Sequence, residues 1–371
     1  MTIYLDYAAT SPMHPEVIAQ MVEAMTIYGN PSSVHQIGRQ ARKAVDEARV
    51  SIAKSIGAKD TEIIFTSGGT EADNTAIFGV AYAQQHKGKH IITTQIEHHA
   101  VLHACEKLEK EGFDITYLPV DSTGRVCVTD VQKALREDTI LVTIMLANNE
   151  VGTIQPIAEI GQLLATHSAI FHTDAVQAYG VLPIDVEALG VDYLSVSAHK
   201  IGGPKGIGFL YQRSKAPFKP LLHGGQQERM RRASTENVPA IIAFATAVTV
   251  KKTVQYETFK KRMEEIWQNN GIMYRVNGGQ TLPQIFNVSF VGTDVEAMLV
   301  NLDMAGICVS SGSACTAGAI DPSHVLVAMY GEGAPELRNA IRFSFGFATT
   351  IEEIEQTATT VAQIVSRLVN L

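Results

Sequence analysis

The sequence lacks the features typical of membrane proteins, secreted proteins and nucleic-acid-binding proteins. Its longest apolar stretch, AIIAFATAV at 240–248, is about half the length of a membrane span, so we expect a buried helix there. The start, MTIYLDYAAT, has neither the basic residues nor the apolar run of a signal peptide. A net charge of −8 over 371 residues argues against nucleic acid or an anionic membrane as the main partner.

Cysteine is also scarce, with four residues, no CxxC pair and no disulfide framework: Cys105, Cys127, Cys308 and Cys315. This usage is typical of a reducing compartment, and we expect a cytoplasmic protein. Cys315 lies in SSGSACTAG (310–318), where no side chain is large enough to anchor a core. A free cysteine is usually a small buried hydrophobe, but a thiol on such a polar loop is exposed, as a reactive thiol must be.

Seven short apolar segments alternate with helical patterns through the first two thirds of the chain. They are EIIFT (62–66), HIITT (90–94), DITYL (114–118), ILVTIML (140–146), AIFHTDA (169–175), YLSVSA (193–198) and GIGFLYQ (206–212). Continuous apolar strands separated by helices predict an α/β fold with a mostly parallel seven-stranded sheet covered on both faces. The pattern changes near 256, so we expect a large domain at 14–255 and a smaller α+β domain formed by 1–13 and 256–371.

A glycine-rich turn, SGGTEADN (67–74), follows the first of these strands and opens a helix. Two glycines allow backbone amides to approach a ligand closely, and a helix N-terminus favours phosphate. The alternative is a plain capping box between Thr70 and Asp73. The residues alone leave both interpretations open.

Two further strand ends carry charged side chains. Asp174 ends the strand before Gln177, and its carboxylate is expensive to bury without a cationic partner or a role as a helix cap. Lys200 follows another strand within SVSAHKIGGPKGIGF (195–209), beside Ser197, His199 and a glycine-rich turn. A lysine desolvated at a strand end can attack a carbonyl, whereas most lysines are simply solvated. Amine, carboxylate and phosphate cradle together are what pyridoxal phosphate requires.

Histidines and an asparagine follow two more strands. His99 and His103 in IEHHAVLH (96–103) have the i, i+4 spacing of metal ligands, but no third ligand is apparent and we expect no metal. His98 precedes that helix and could stack on a planar cofactor and move protons. Asn149 in NNEVG (148–152) could donate a hydrogen bond to a ring oxygen.

Taken in order, these motifs resemble the cysteine desulfurases of the NifS/IscS type, which are class V, fold-type-I pyridoxal-phosphate enzymes. The SSGSACT block resembles the subgroup that carries its cysteine on a long mobile loop, and a class V aminotransferase would lack it. The matching blocks are YLDYAATSP (4–12), GNPSSVH (29–35), TSGGTEADN (66–74), EHHAV (97–101), NNEVG (148–152), HTDAVQ (172–177), SAHKIGGPKGIG (197–208), STEN (234–237), SSGSACTAG (310–318) and IRFSFG (341–346).

The resemblance implies roles around the ring of pyridoxal 5'-phosphate. Lys200 would hold the cofactor's aldehyde as a Schiff base, and Asp174 would keep the ring nitrogen protonated. His98 would stack on the ring, and Asn149 and Gln177 would bond its oxygen.

The resemblance also implies a phosphate site and a dimer. The phosphate would be held by the amide of Gly69 and by Thr70, Ser197 and His199. Thr235 would reach the phosphate of the other subunit's cofactor, so the enzyme would be a homodimer.

The implied reaction removes sulfur from L-cysteine. Arg342 would bind the substrate carboxylate bidentately, with Asn30 and Asn149 as further substrate contacts. Lys200 would remove the α-proton, and the Cys315 thiolate would take the substrate sulfur as a persulfide, releasing alanine. Because an ordinary thiol is only a few per cent ionised at neutral pH, a local group such as His98 should assist.

Two departures bear on the sulfur acceptor. Ser344-Phe345-Gly346-Phe347-Ala348 stands where the common form continues SLGR-[FY]-[ST], and RLVNL ends the sequence without the long tail that docks an iron–sulfur scaffold. An iron–sulfur scaffold and a tRNA-thiolation enzyme are therefore both open as acceptors. The alternative activities are a class V aminotransferase, a selenocysteine lyase or a catalytically silent sulfur-carrier subunit.

Overall fold

The structure, a computed structural model, describes residues 2–250, 254–311 and 322–369. Its helices are α1 Pro15–Ala24, α2 Gln36–Lys54, α3 Gly69–Gln84, α4 His99–Lys110, α5 Val128–Ala134, α6 Ile157–Leu164, α7 Val186–Leu189, α8 Gln227–Met230, α9 Val238–Thr249, α10 Tyr256–Asn269, α11 Val295–Met304, α12 His324–Tyr330 and α13 Ile351–Val369. Its strands are β1 Ile3–Tyr4, β2 Ile63–Thr66, β3 His90–Thr94, β4 Asp114–Leu118, β5 Thr139–Thr143, β6 Ile170–Asp174, β7 Tyr193–Ser197, β8 Gly208–Gln212, β9 Tyr274–Asn277, β10 Ile285–Phe290, β11 Ile307–Cys308 and β12 Ala340–Ser344.

The central sheet has seven strands in the order β2-β8-β7-β6-β5-β3-β4. Strand β8 runs antiparallel to both of its neighbours, and the other four pairs are parallel. The predicted mostly parallel seven-stranded sheet is therefore confirmed. Because β2, β3, β5, β6 and β7 point the same way, their carboxyl ends lie along one edge, where ligands bind in folds of this kind.

Both faces of this sheet are buried, as the continuous apolar strands predict. Val142, Phe171 and Leu194 belong to a core shared with α2 and α9 on one face. Leu141 and Leu210 belong to a separate core shared with α3 and α4 on the other face. This two-sided packing explains why the strands show no alternation of polar and apolar residues.

The apolar stretch 240–248 forms most of α9, which is buried against α1 and α2. The side chain of Asn237 caps this helix by accepting from the Ala240 amide, and Pro239 lies in the first turn. In the part of the chain that the structure describes, no helix is long and apolar enough to cross a membrane.

A third core surrounds Trp267 in the C-terminal part of the chain. It is built on the three-stranded antiparallel sheet β12-β10-β9 and on α10 and α13. The N-terminal residues Ile3 and Leu5 belong to this core, and β1 pairs in parallel with β11. These contacts agree with the expected grouping of 1–13 with 256–371, although the domain boundaries themselves remain a prediction.

Candidate active site

A cavity of about 420 Å³ opens at the carboxyl edge of the central sheet. Strand ends and the start of α3 supply most of its walls, and Arg342 of β12 also lines it. It brings together ten of the residues predicted from the sequence: Gly69, Thr70, His98, Asn149, Asp174, Gln177, Ser197, His199, Lys200 and Arg342. It also includes groups to which the sequence analysis gave no role in binding, namely Ala8, Ala9 and Asp73.

Lys200 lies at the end of the 3₁₀ turn Ala198–Lys200, directly after β7. Its Nζ donates hydrogen bonds to the carbonyl oxygens of Ala8, at 2.5 Å, and Ala9, at 2.9 Å. Burial and then the positive charge of Arg342 lower the pKa of Lys200 to about 8, while the carboxylate of Asp174 opposes the shift. A lysine with such a pKa has an appreciable fraction of free amine near neutral pH, as a nucleophile or base requires.

Asp174 ends β6 and is buried beside the cavity. Its Oδ1 accepts a hydrogen bond from the Val176 amide at 2.8 Å. Burial raises the pKa of Asp174 to about 6, against the lowering effects of that amide and of the Lys200 charge. A buried carboxylate of this kind is stabilised by a cationic ligand nitrogen.

Asp73 contradicts the capping-box interpretation of SGGTEADN. The N-cap of α3 is Gly68, with φ of 153°, and it caps through no side chain. Asp73 is instead buried beneath the cavity, where its Oδ1 lies 3.6 Å from His172 Nε2 and has no hydrogen-bond partner among the described residues. Burial and then the charge of Asp174 raise the pKa of Asp73, because both disfavour a second ionised carboxylate at this position.

His98 is the N-cap of α4, since its Nδ1 accepts from the Ala100 amide at 3.1 Å. Burial, followed by the charge of Lys200, lowers the pKa of His98 to about 4. The imidazole is therefore neutral at physiological pH, and because Nδ1 accepts from the Ala100 amide, Nε2 carries the ring hydrogen and is a hydrogen-bond donor. Because the helix cap engages only Nδ1, the rest of the ring is available for stacking on a planar ligand.

The neighbouring histidines form a ring cluster. His99 stacks on His103 with centroids 5.0 Å apart and lies 4.8 Å from His324. Even so, among the described residues no three His, Cys, Asp or Glu side chains are grouped as metal ligands.

Arg342 projects from β12 and is almost fully buried. Its Nη1 donates to the Asn149 carbonyl oxygen at 2.9 Å, and its Nη2 donates to Asp6 Oδ1 at 2.8 Å. Asp6 lies in the block YLDYAATSP (4–12), but nothing local in the sequence indicates a role for it. Only the isolated bridge between Asp6 and Ser344, which pairs residues 338 positions apart, brings it to the site.

The remaining predicted cradle residues surround the start of α3. A Cβ at Gly69 would lie 2.8 Å from Val176 Cγ2, so this position requires glycine and leaves a backbone amide close to the cavity. His199 Nδ1 is 3.1 Å from Thr10 Oγ1, and burial lowers the pKa of His199 to about 4. Gln177 Nε2 donates to the Ala8 carbonyl oxygen at 2.9 Å.

Two predicted site residues do not line this cavity in a single chain. Thr235 lines a separate cavity of about 190 Å³ with Ser67 and Gly206. Asn30 is exposed, and its Oδ1 accepts from the Ser32 amide. Cys315, the predicted nucleophile, lies outside the described residues, so its role stays a prediction.

Comparisons with known proteins agree on one family. The chain matches the model described as aminotransferase class-V over residues 3–357. It is 57% identical over 375 residues to the putative cysteine desulfurase IscS 1 of Bacillus subtilis (strain 168), covering 99% of each protein. It is 46% identical over 380 residues to the cysteine desulfurase IscS of Methanosarcina thermophila, covering 100% of this chain and 93% of that protein.

Solved structures give the same result. A NifS-like protein superposes with a TM-score of 0.91 and 36% identity, covering 99% of this chain and 100% of that one. SspA, solved in complex with cysteine, superposes with a TM-score of 0.85 and 37% identity, covering 94% of this chain and 100% of that one.

Proposed function

Because the chain belongs to the class-V aminotransferase family and is a cysteine desulfurase of the NifS/IscS type, we propose that the cavity beside Lys200 binds pyridoxal 5'-phosphate and L-cysteine. The observation that carries this proposal is the placement of a partly neutral lysine opposite a buried aspartate, with a buried arginine across the same cavity.

The donor set of the cavity fits this cofactor. Lys200 would bind its aldehyde, Asp174 its ring nitrogen, and neutral His98 would stack on its ring. Asn149 and Gln177 would bond the ring oxygen. The phosphate would be held at the start of α3, where a Cβ at Gly69 would clash. The residues that hold it would be Gly69, Thr70, Ser197 and His199 of one chain, together with Thr235 of a second copy. When bound, the cofactor withdraws electrons from the substrate's α-carbon.

Three side chains of this chain have separate roles in substrate binding, proton transfer and thiolate stabilisation. Arg342 binds the α-carboxylate with its guanidinium. Lys200 takes the α-proton, and the Ala8 and Ala9 carbonyl oxygens accept hydrogen bonds from the resulting ammonium group, as they do in this structure. His98, neutral at physiological pH because its pKa is lowered, would donate a hydrogen bond from Nε2–H that stabilises the thiolate of Cys315.

The sulfur transfer needs no reactant besides L-cysteine and the Cys315 thiolate. The Cys315 thiolate forms a bond to the substrate sulfur, and the bond from that sulfur to the β-carbon breaks. The electron pair remains on the carbon, which is protonated, so the products are alanine and a Cys315 persulfide. We propose that an iron–sulfur scaffold or a tRNA-thiolation enzyme then accepts the persulfide sulfur.

The test uses two variants of the homodimer that we propose and one control. Lys200→Ala should lose the visible absorbance of the bound cofactor. Cys315→Ser should keep that absorbance but stop sulfide release from L-cysteine. Cys127→Ser is the matched control, because Cys127 is exposed and lies outside the cavity, and it should remain active. A colourless wild-type protein after reconstitution would refute the cofactor assignment.

The same assay separates the alternatives. Undiminished sulfide or selenide release by Cys315→Ser would indicate a lyase that does not need this thiol. Amino transfer to a keto acid without alanine formation would indicate an aminotransferase. Radiolabelled sulfur retained on Cys315 after incubation with labelled cysteine, and then removed by a candidate acceptor, would identify the physiological partner.

A further inference from the structure

The N-terminal segment Asp6–Ala9 enters the cavity and contacts three of its functional groups. Asp6 accepts from Arg342, the Ala8 and Ala9 carbonyl oxygens accept from Lys200, and Ala8 also accepts from Gln177. The segment therefore supplies hydrogen-bond acceptors to the charged groups Lys200 and Arg342, in addition to its contacts within the fold.

The position of Asp6 is fixed by the backbone of β12. Asp6 forms a bridge with Ser344, two residues beyond Arg342, so both side chains project from the same face of the strand pair. The Ser344 amide donates to the Leu5 carbonyl oxygen at 2.8 Å, and the Ala8 amide donates to Ser344 Oγ at 2.9 Å. The carboxylate is thus held against the guanidinium by contacts on both sides of it.

The charge balance at Arg342 depends on this carboxylate. The Arg342 side chain is only 5% exposed and the Asp6 side chain 22%. In the described part of the chain, Asp6 is the only carboxylate that forms an ion pair with Arg342. A guanidinium stays charged at all physiological pH values, so its burial before substrate arrives requires a counter-ion.

A substrate carboxylate would bind the same guanidinium that Asp6 already binds. Of the two terminal nitrogens, Nη1 serves the Asn149 carbonyl oxygen and Nη2 serves Asp6. A bidentate carboxylate needs two parallel N–H groups, so it would pair Nε, which has no hydrogen-bond partner among the described residues, with a terminal nitrogen that already donates to Asp6 or to Asn149. Two carboxylates on one guanidinium repel each other, and like charges in close contact weaken binding substantially.

We propose that Asp6 is the resident counter-ion of Arg342 and competes with the α-carboxylate of the substrate for it. This inference rests on the proposed role of Arg342 as the carboxylate-binding residue. Asp6 is then a specificity-determining residue: it stabilises the empty site and weakens the binding of the amino acid, which eases release of the alanine product.

The test measures ligand discrimination in the cofactor-loaded Cys315→Ser protein, which does not turn over L-cysteine in the proposed mechanism. Binding of L-cysteine and of cysteamine, which lacks the carboxylate, is followed by the change in cofactor absorbance. Asp6→Asn keeps an acceptor oxygen near Nη2 but removes the charge. We expect it to lower the dissociation constant of L-cysteine about tenfold and to leave that of cysteamine unchanged or slightly higher.

Two controls separate charge from structure. Asp303→Asn removes one exposed carboxylate on the small domain and should change neither constant. Asp6→Ser should have the same effect as Asp6→Asn on discrimination, which provides a second variant if one of them folds poorly. In enzyme with Cys315 intact, Asp6→Asn should lower KM without raising kcat, since only binding of the carboxylate changes.

Two other results would overturn the proposal in distinguishable ways. If the starting protein already binds L-cysteine and cysteamine equally, the carboxylate role of Arg342 is wrong and the inference fails with it. If that protein discriminates, but Asp6→Asn leaves the ratio unchanged or weakens L-cysteine, then Asp6 positions Arg342 and does not compete for it.

Discussion

Replacing Glu228 with glutamine should destabilise the protein by breaking a buried ion pair. Arg49 on α2 binds the Glu228 carboxylate with both terminal nitrogens, Nη1 to Oε2 at 2.7 Å and Nη2 to Oε1 at 2.6 Å. The two side chains are 8% and 2% exposed. Glu228 Oε2 also accepts from the Phe65 amide at 3.1 Å, and the guanidinium lies 4.6 Å from the centroid of the Phe65 ring.

The expected loss follows from the charge that is left behind. Glu228→Gln retains an acceptor for one donor but leaves the Arg49 cation buried without an anion. Breaking a buried pair in this way costs about 3 to 5 kcal/mol. For a chain of this length, the unfolding entropy converts that loss into a melting temperature lower by about 4 to 6 °C.

Calorimetric melting of wild-type and variant protein measures this shift. Glu187→Gln is the matched control, since the Arg213–Glu187 pair is exposed and should change the melting temperature by about 1 °C or less. The double variant Arg49→Met with Glu228→Leu removes both charges and should recover much of the loss. A Glu228→Gln protein that melts with the wild type, or a double variant no more stable than the single one, would refute this reasoning.

Two further predictions concern titration. Burial raises the pKa of Glu97 to about 8, so its contribution to stability is complete below about pH 4.5 and is lost as pH rises through 8. Between about pH 6 and about pH 9, the melting temperature of Glu97→Gln should therefore fall less than that of the wild type. Equal dependence of the two melting temperatures on pH would contradict this. In the apoprotein, labelling of Lys200 by an amine reagent, followed by peptide mass, should have a midpoint near pH 8. Asp174→Asn should lower that midpoint, because the Asp174 charge raises the pKa of Lys200; an unchanged midpoint would show that the aspartate does not act on the lysine, and an upward shift would contradict the sign of its effect.

The sheet could be predicted from the sequence because its strands are apolar on both faces and alternate with helices. The direction of β8 could not, since an apolar run has the same pattern whether the strand is parallel or antiparallel. Its two neighbours, β2 and β7, are both antiparallel to it. Strand content is thus encoded locally, whereas strand direction depends on how the connections cross the sheet.

The site residues also divide into those that local sequence predicts and those that only distant contacts bring together. Lys200, Asp174 and His98 could be found because each follows a recognisable strand. The spacing of Asp73 from Thr70 also suits a capping box, so the sequence left its place open, and only tertiary packing buries it against His172. Asp6 had no local signal, since its partner Arg342 belongs to a strand at the other end of the sequence.

The meeting of Asp6 with β12 has a consequence for how the enzyme is made. During synthesis the ribosome releases Lys200 and Asp174 long before residues 340–344 exist, so β1 has no β11 to pair with and Asp6 has no arginine. Strand β1 and Asp6 must stay without these partners until residues 307–344 have emerged. An incomplete chain can therefore hold much of the cofactor cavity without a carboxylate site, and substrate recognition would be the last property the nascent enzyme acquires.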